Sequence, residues 1–228
     1  MSHMPETGIL YIVATPIGNL EDMTYRGVRI LQEVDLIAAE DTRKSAVLLA
    51  EYEVTTPMTS YHDHNKEKKT PGLIEHLLGR QHLAIISDAG TPGVSDPAFY
   101  LVREAIRNGI PVTPIPGPSA AVAALVSSGL PTDRWVFEGF LPRKKGRHTR
   151  LQELSAESRT ILIYESPYRV QRTLQDIREY FGDRQVAVGR EITKKFEEFV
   201  RGTCSEVLEY YEQHPVKGEF VIVVAGTQ

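Results

Sequence analysis

The chain has 228 residues, 41% of them hydrophobic and 25% charged, with 17 Gly, 14 Pro and a single cysteine. That balance excludes collagen-like, low-complexity and wholly disordered chains, and the length suits one large or two small domains with a sizeable core. The net charge of −4 argues against a general nucleic-acid glue but leaves room for a local basic site.

Residues 1–4, Met-Ser-His-Met, read as an expression leader and are set aside. The longest apolar stretch, 120–126, is far short of the roughly 20 residues that span a bilayer, so no membrane association is expected. Cys204 has no partner for an internal disulfide, which points to a reducing cytoplasm.

In the first half, short apolar runs alternate with helical patterns. Strands are predicted at 10–14, 35–39, 83–87 and 112–115, and helices at 25–34, 43–52, 73–78 and 97–108. This rhythm predicts an α/β fold whose N-terminal domain is a mainly parallel sheet with flanking helices. The punctuated stretch Pro114-Ile-Pro-Gly-Pro118 suggests a boundary, giving domains 1–116 and 117–228. Beyond it strands outnumber helices: strands at 134–140, 160–164, 185–189, 196–200 and 219–224, helices at 167–180 and 205–211. A mixed sheet with helices is expected for this C-terminal domain.

In an open parallel sheet, ligands bind outside the carboxyl ends of the strands. Four loops rich in small or turn-forming residues follow predicted strands there. They are Thr15-Pro-Ile-Gly-Asn-Leu-Glu-Asp22, Glu40-Asp-Thr-Arg43, Ile86-Ser-Asp-Ala-Gly-Thr-Pro-Gly-Val-Ser-Asp-Pro97, and Pro116-Gly-Pro-Ser-Ala120. Gly90 and Gly93 permit tight turns and close approach to a ligand. Asp96 also suits a plain helix cap. None of the loops carries a phosphate-loop or dinucleotide fingerprint, so a small ligand held by backbone groups is expected.

Glu40-Asp41 beside Arg43 fits either a general base with its orienting partner or a helix-start carboxylate near a salt bridge. His62-Asp-His-Asn65 reads as a polar loop and not as a metal site. Glu191 and Lys194 follow a strand and are equally compatible with a substrate-facing or a solvated loop. Cys204 has no activating neighbours in sequence. The one basic cluster, Arg143-Lys-Lys-Gly-Arg-His-Thr-Arg150, follows an aromatic-rich segment and fits either a grip on RNA phosphates or a solvated loop.

Leu10-Tyr-Ile-Val-Ala-Thr-Pro-Ile-Gly-Asn-Leu20, Asp35-Leu-Ile-Ala-Ala-Glu-Asp-Thr-Arg43, Ser87-Asp-Ala-Gly-Thr-Pro92 and Pro116-Gly-Pro-Ser119 together resemble the tetrapyrrole methylase superfamily, and most closely its ribosomal RNA small subunit methyltransferase I branch. Glu138-Gly-Phe-Leu-Pro142, Tyr164-Glu-Ser166 and Gly189-Arg-Glu-Ile-Thr-Lys194 extend the match in order along nearly the whole chain.

The resemblance implies a two-domain methyltransferase with S-adenosylmethionine in the cleft between domains, working as a homodimer. It implies 2′-O-methylation of a cytidine in the decoding region of small-subunit ribosomal RNA. Carried over loop by loop, it implies a cofactor site of Pro16, Ile17, Asp88, Gly90, Thr91, Pro92, Val94, Ser119, Ala120, Tyr164, Glu165 and Arg190, with no metal. Asp41 and Glu191 are candidate proton acceptors, with Arg43 as orienter or phosphate clamp. Arg143, Lys144, Lys145 and Arg147 are the expected RNA contacts. A tetrapyrrole methyltransferase and a non-catalytic RNA-binding module on the same fold are the alternatives.

Overall fold

A computed structural model describes residues 6–227, so the expected leader at residues 1–4 lies outside the described residues. The chain divides into two compact units, Met1–Ser119 and Ala120–Gln228. The division falls a few residues beyond the predicted 116/117 boundary, at the end of the same Pro/Gly stretch.

The first unit runs β1 (Leu10–Val13), a 3₁₀ turn (Leu20–Asp22), α1 (Tyr25–Glu33), β2 (Leu36–Ala39), α2 (Thr42–Glu51), β3 (Met58–Ser60), α3 (Lys66–Leu78), β4 (Leu83–Ile86), α4 (Ala98–Arg107) and β5 (Val112–Ile115). Its sheet has the order β3-β2-β4-β1-β5 with every pair parallel. All four β4 residues are buried, because alternate side chains point to opposite faces and helices cover both. Leu83 and Ile85 pack with Leu73, Leu77 and Leu101 on one face, while Ala84 and Ile86 pack with Ile30, Leu31 and Leu49 on the other. Burying each such Leu or Ile stabilises the fold by roughly 1.5–3 kcal/mol.

The second unit runs α5 (Ala120–Ser128), β6 (Trp135–Phe140), α6 (Arg147–Ser155), β7 (Thr160–Glu165), α7 (Val170–Phe181), β8 (Gln185–Arg190), β9 (Glu198–Thr203), α8 (Cys204–Gln213) and β10 (Phe220–Val224). The sheet order is β6-β7-β10-β8-β9. Strands β6 and β7 pair in parallel and the remaining pairs are antiparallel, so the sheet is mixed as expected. Its centre, β10, is buried at all five positions. Helix α8 starts with a capping box: Thr203 accepts from the Glu206 amide, and Glu206 accepts from the Thr203 amide. No helix among the described residues is long and apolar enough to cross a membrane.

Candidate active site

In the first unit, the loops leaving the carboxyl ends of the parallel strands are tied to one another. The loop after β1 meets the loop after β4 through a two-bond bridge: the Thr15 amide donates to the Gly90 carbonyl at 2.9 Å, and the Gly90 amide to the Thr15 carbonyl at 3.0 Å. Gly90 has φ +79°, and a Cβ there would stand 3.3 Å from Ile17 Cγ2. The loop after β5 joins them through Thr91 Oγ1, which donates to the Pro118 carbonyl at 3.1 Å. A Cβ at Gly117 would sit 2.8 Å from Ala14 Cβ, so close approach of these two loops requires glycine.

Carboxylates gather between β2 and β4. Asp88 Oδ1 accepts from the Asp41 amide at 3.0 Å, and Asp88 Oδ2 from Lys44 Nζ at 2.6 Å. The Asp88 amide donates to Glu40 Oε2 at 3.3 Å. Burial pushes Glu40 above the usual carboxylate range; the Asp88 amide pulls it back, and the Asp88 and Asp96 charges push it up again. Asp41 behaves oppositely. Its carboxylate caps α2, accepting from the Arg43 amide at 2.9 Å, and pairs with the Arg43 guanidinium. Those bonds hold it down at about 2. Asp96 is also engaged by backbone, accepting from the amides of Gly93 and of Ala98, the first residue of α4.

In the second unit, Tyr164, the penultimate residue of β7, accepts at its hydroxyl from the Ala121 amide at 3.2 Å, and its ring meets Phe137 and Phe140 edge-on. Arg190 donates to the Lys217 carbonyl at 2.8 Å. Glu191 adopts φ +50° and accepts from Lys194 Nζ at 2.8 Å and the Glu219 amide at 3.0 Å. Burial works to raise Glu191, but those donors and the Lys194 and Arg190 charges outweigh it and leave the carboxyl below its ordinary value. Cys204 is buried with its thiol directed at the Leu174 carbonyl, and burial pushes it up to about 11, so it is an unreactive packing residue.

The chain matches the model of the Tetrapyrrole (Corrin/Porphyrin) Methylases over residues 9–208. It belongs to the tetrapyrrole methylase family. The "Ribosomal RNA small subunit methyltransferase I" of Synechocystis sp. is 52% identical over 221 residues, covering 96% of this chain and 79% of that protein. The protein of the same name from Bacillus subtilis is 47% identical, covering 97% and 76%. Among solved structures, a diphthine synthase aligns with TM-score 0.72 at 13% identity (96% of this chain, 90% of that one). A cobalt precorrin-4 methyltransferase aligns with TM-score 0.66 at 17% identity (95% and 94%). These likenesses show the shared fold.

This tetrapyrrole methylase is a methyltransferase, and its methyl donor is S-adenosylmethionine. The first unit's loops fit such a donor: they present glycines and peptide groups in a braced arrangement, beside the Glu40 and Asp88 carboxylates that suit a cationic ligand.

Two expected side-chain roles need correction. Arg147 was expected to face RNA, yet only 5% of it is exposed. Its guanidinium donates to Asp176 at 2.7 Å, Thr173 at 2.8 Å and the Pro142 carbonyl at 3.2 Å. Glu165 was expected to line the cofactor site, yet its side chain is fully buried in an ion pair with Arg169 at 2.7 Å, and it also accepts from Thr173 at 2.8 Å. Both are bracing residues of the second unit. Arg150, from the same basic cluster, is likewise engaged, pairing with Glu138 and Glu153. Arg143, Lys144 and Lys145 are exposed and have no ion-pair partner among the described residues.

Proposed function

We propose that this methylase transfers a methyl group from S-adenosylmethionine to the ribose 2′-oxygen of a cytidine in the decoding region of small-subunit ribosomal RNA. The observation that carries the reading is the exposed, unpaired run Arg143-Lys144-Lys145 in a chain whose net charge is −4. Cations without internal partners are free to neutralise phosphates. The relatives of about half identity, named for small-subunit ribosomal RNA, support it. We extend the reading to a homodimer in the cytoplasm on the resemblance alone.

The cofactor supplies an electrophilic methyl on a sulfonium centre. Within the first unit, Pro16, Ile17, Asp88, Gly90, Thr91, Pro92, Val94 and Ser119 would hold it. A ribose hydroxyl is a poor nucleophile, so rate comes from positioning and from a group that takes its proton. Asp41 is a weak acceptor because its capping bonds and Arg43 hold it at about 2. Glu191 is engaged by Lys194 and the Glu219 amide. Glu40, at the carboxyl end of β2 and with its proton affinity raised by burial, is the better acceptor, and Lys44 and Asp88 organise the site around it. Arg43 is exposed while paired with Asp41, which suits a phosphate contact.

The test is methyl transfer from labelled S-adenosylmethionine to small ribosomal subunits lacking this modification. Label in a cytidine ribose is the expected outcome. Label in a porphyrinogen with none in RNA would replace the reading with the tetrapyrrole one.

A further inference from the structure

Strands β6 and β7 run parallel with Phe140 opposite Tyr164, so the loops that follow them leave the sheet side by side. The first loop carries Arg143, Lys144 and Lys145; the second, a tight turn before α7, carries Tyr168. The turn is closed by the Arg169 and Val170 amides, which donate to the Ser166 carbonyl at 3.0 and 3.1 Å. Side chains then fasten one loop to the other. Arg169 donates to the Leu141 carbonyl at 3.2 Å while paired with Glu165. Arg147 donates to the Pro142 carbonyl, and Thr173 links Arg147 to Glu165. Buried charges thus fix the backbone beneath both loops.

Tyr168 contributes nothing to that brace. It is 97% exposed, and among the described residues its ring makes no aromatic or cation–π contact and its hydroxyl no hydrogen bond. A whole aromatic ring left in water on a rigid turn forgoes the burial that ordinarily stabilises such a side chain. Phe140, on the neighbouring strand end, is also 55% exposed. Exposed aromatics beside unpaired cations are the two components that single-stranded nucleic acid needs: a π-face for a splayed base and positive charge for the backbone. A rigid platform also lowers the ordering cost of binding.

We propose that Tyr168 stacks on an unpaired nucleobase of an RNA strand whose phosphates Arg143, Lys144 and Lys145 neutralise. This rests on the ribosomal RNA reading above and names a base-stacking residue within it. Stacking on an aromatic face tolerates any base, so Tyr168 supplies affinity for unpaired RNA and not sequence choice.

The test compares the full chain with Tyr168→Ala, Tyr168→Phe and Lys144→Ala. The probes are a fluorescently labelled unstructured oligoribonucleotide and a fully paired RNA duplex, each titrated at several salt concentrations. S-adenosylmethionine binding by calorimetry, unchanged in every variant, reports an intact fold. Tyr168→Ala is expected to weaken binding of the single strand about 5- to 100-fold, leave duplex binding and the salt slope unchanged, and be rescued in Tyr168→Phe. Lys144→Ala should lower the salt slope by about one. Equal single-strand affinity for Tyr168→Ala and the unsubstituted protein would overturn the stacking role while leaving the RNA reading standing. A shift in sedimentation caused by Tyr168→Ala would overturn it too, since the ring would then cover a second copy. Failure of the unsubstituted protein to bind either RNA would remove the RNA reading and this inference together.

Discussion

Arg147 and Glu40 are two residues whose environments change what their side chains can do. Arg147 and Asp176 form an ion pair whose arginine side chain is 6% exposed. Removing one member of such a pair strands the other charge, at about 3 kcal/mol. Arg147→Ala is therefore predicted to lower unfolding stability by about 3 kcal/mol in a denaturant titration, whereas Lys144→Ala, exposed and unpaired, should change it by less than about 0.5 kcal/mol. Equal stability of the two variants would contradict the bracing role. Glu40 makes a pH prediction. Its folded-state pKa is raised, chiefly by burial, so as pH falls it takes up a proton at a higher pH than an ordinary glutamate and stops accepting one from substrate. Methyl transfer should fall along that acid limb, and Glu40→Gln should lose about 100-fold or more of the rate and the limb with it. A raised folded-state pKa also means that the charged form works against folding at neutral pH. Glu40→Gln should accordingly melt higher at pH 7, with the gain shrinking as the pH drops through the carboxylate range. An unchanged profile would remove Glu40 from the reaction. The basic cluster and the acidic pair were visible in the sequence, but their division of labour was not. Arg147, Leu151 and Leu154 share the buried face of α6, and without that helix nothing marks Arg147 as the inward cation of the run.

Among the elements, the strand–helix alternation of the first unit was legible because buried parallel strands are short continuous apolar runs. The predicted strand at 112–115 coincides with β5. Three elements escaped, each for a physical reason. Helix α5, AAVAALVSS, is apolar almost all round and shows no helical stripe. Helix α6 is mostly polar, with its three buried positions including an arginine. Strand β3 has only three residues, none buried. Helix α3 begins at Lys66, before the predicted 73; its first turns are Lys-rich and hold Pro71, so they carry no apolar stripe to read. The loop elements carry their own prediction. Gly90 sits at φ +79° in the bridge to Thr15, where an L-residue is disfavoured by roughly 1–2 kcal/mol and a β-branched one by more. Gly90→Val should raise the dissociation constant for S-adenosylmethionine at least about tenfold in calorimetry while circular dichroism stays that of a folded protein. Retained affinity would show that the bridged loops do not hold the cofactor.

For the whole molecule, the boundary expected at 116/117 and the division observed after Ser119 lie three residues apart in the same Pro/Gly stretch. The family was readable because its motifs lie in short loops at the strand ends of the first unit; the bracing pair Arg147–Asp176 was not, because it joins residues 29 apart that only the packing of α6 on α7 brings together. The central claim is a methyl group placed on a ribose oxygen of small-subunit ribosomal RNA, and alkaline hydrolysis tests it most directly. Cleavage of RNA in alkali requires a free 2′-hydroxyl to attack the adjacent phosphate, so a 2′-O-methyl group protects the bond that follows it. Ribosomal RNA labelled from S-adenosylmethionine by this protein should release its label in an alkali-resistant dinucleotide whose 5′ nucleoside is cytidine. Label released in a mononucleotide would place the methyl on a base and contradict the account.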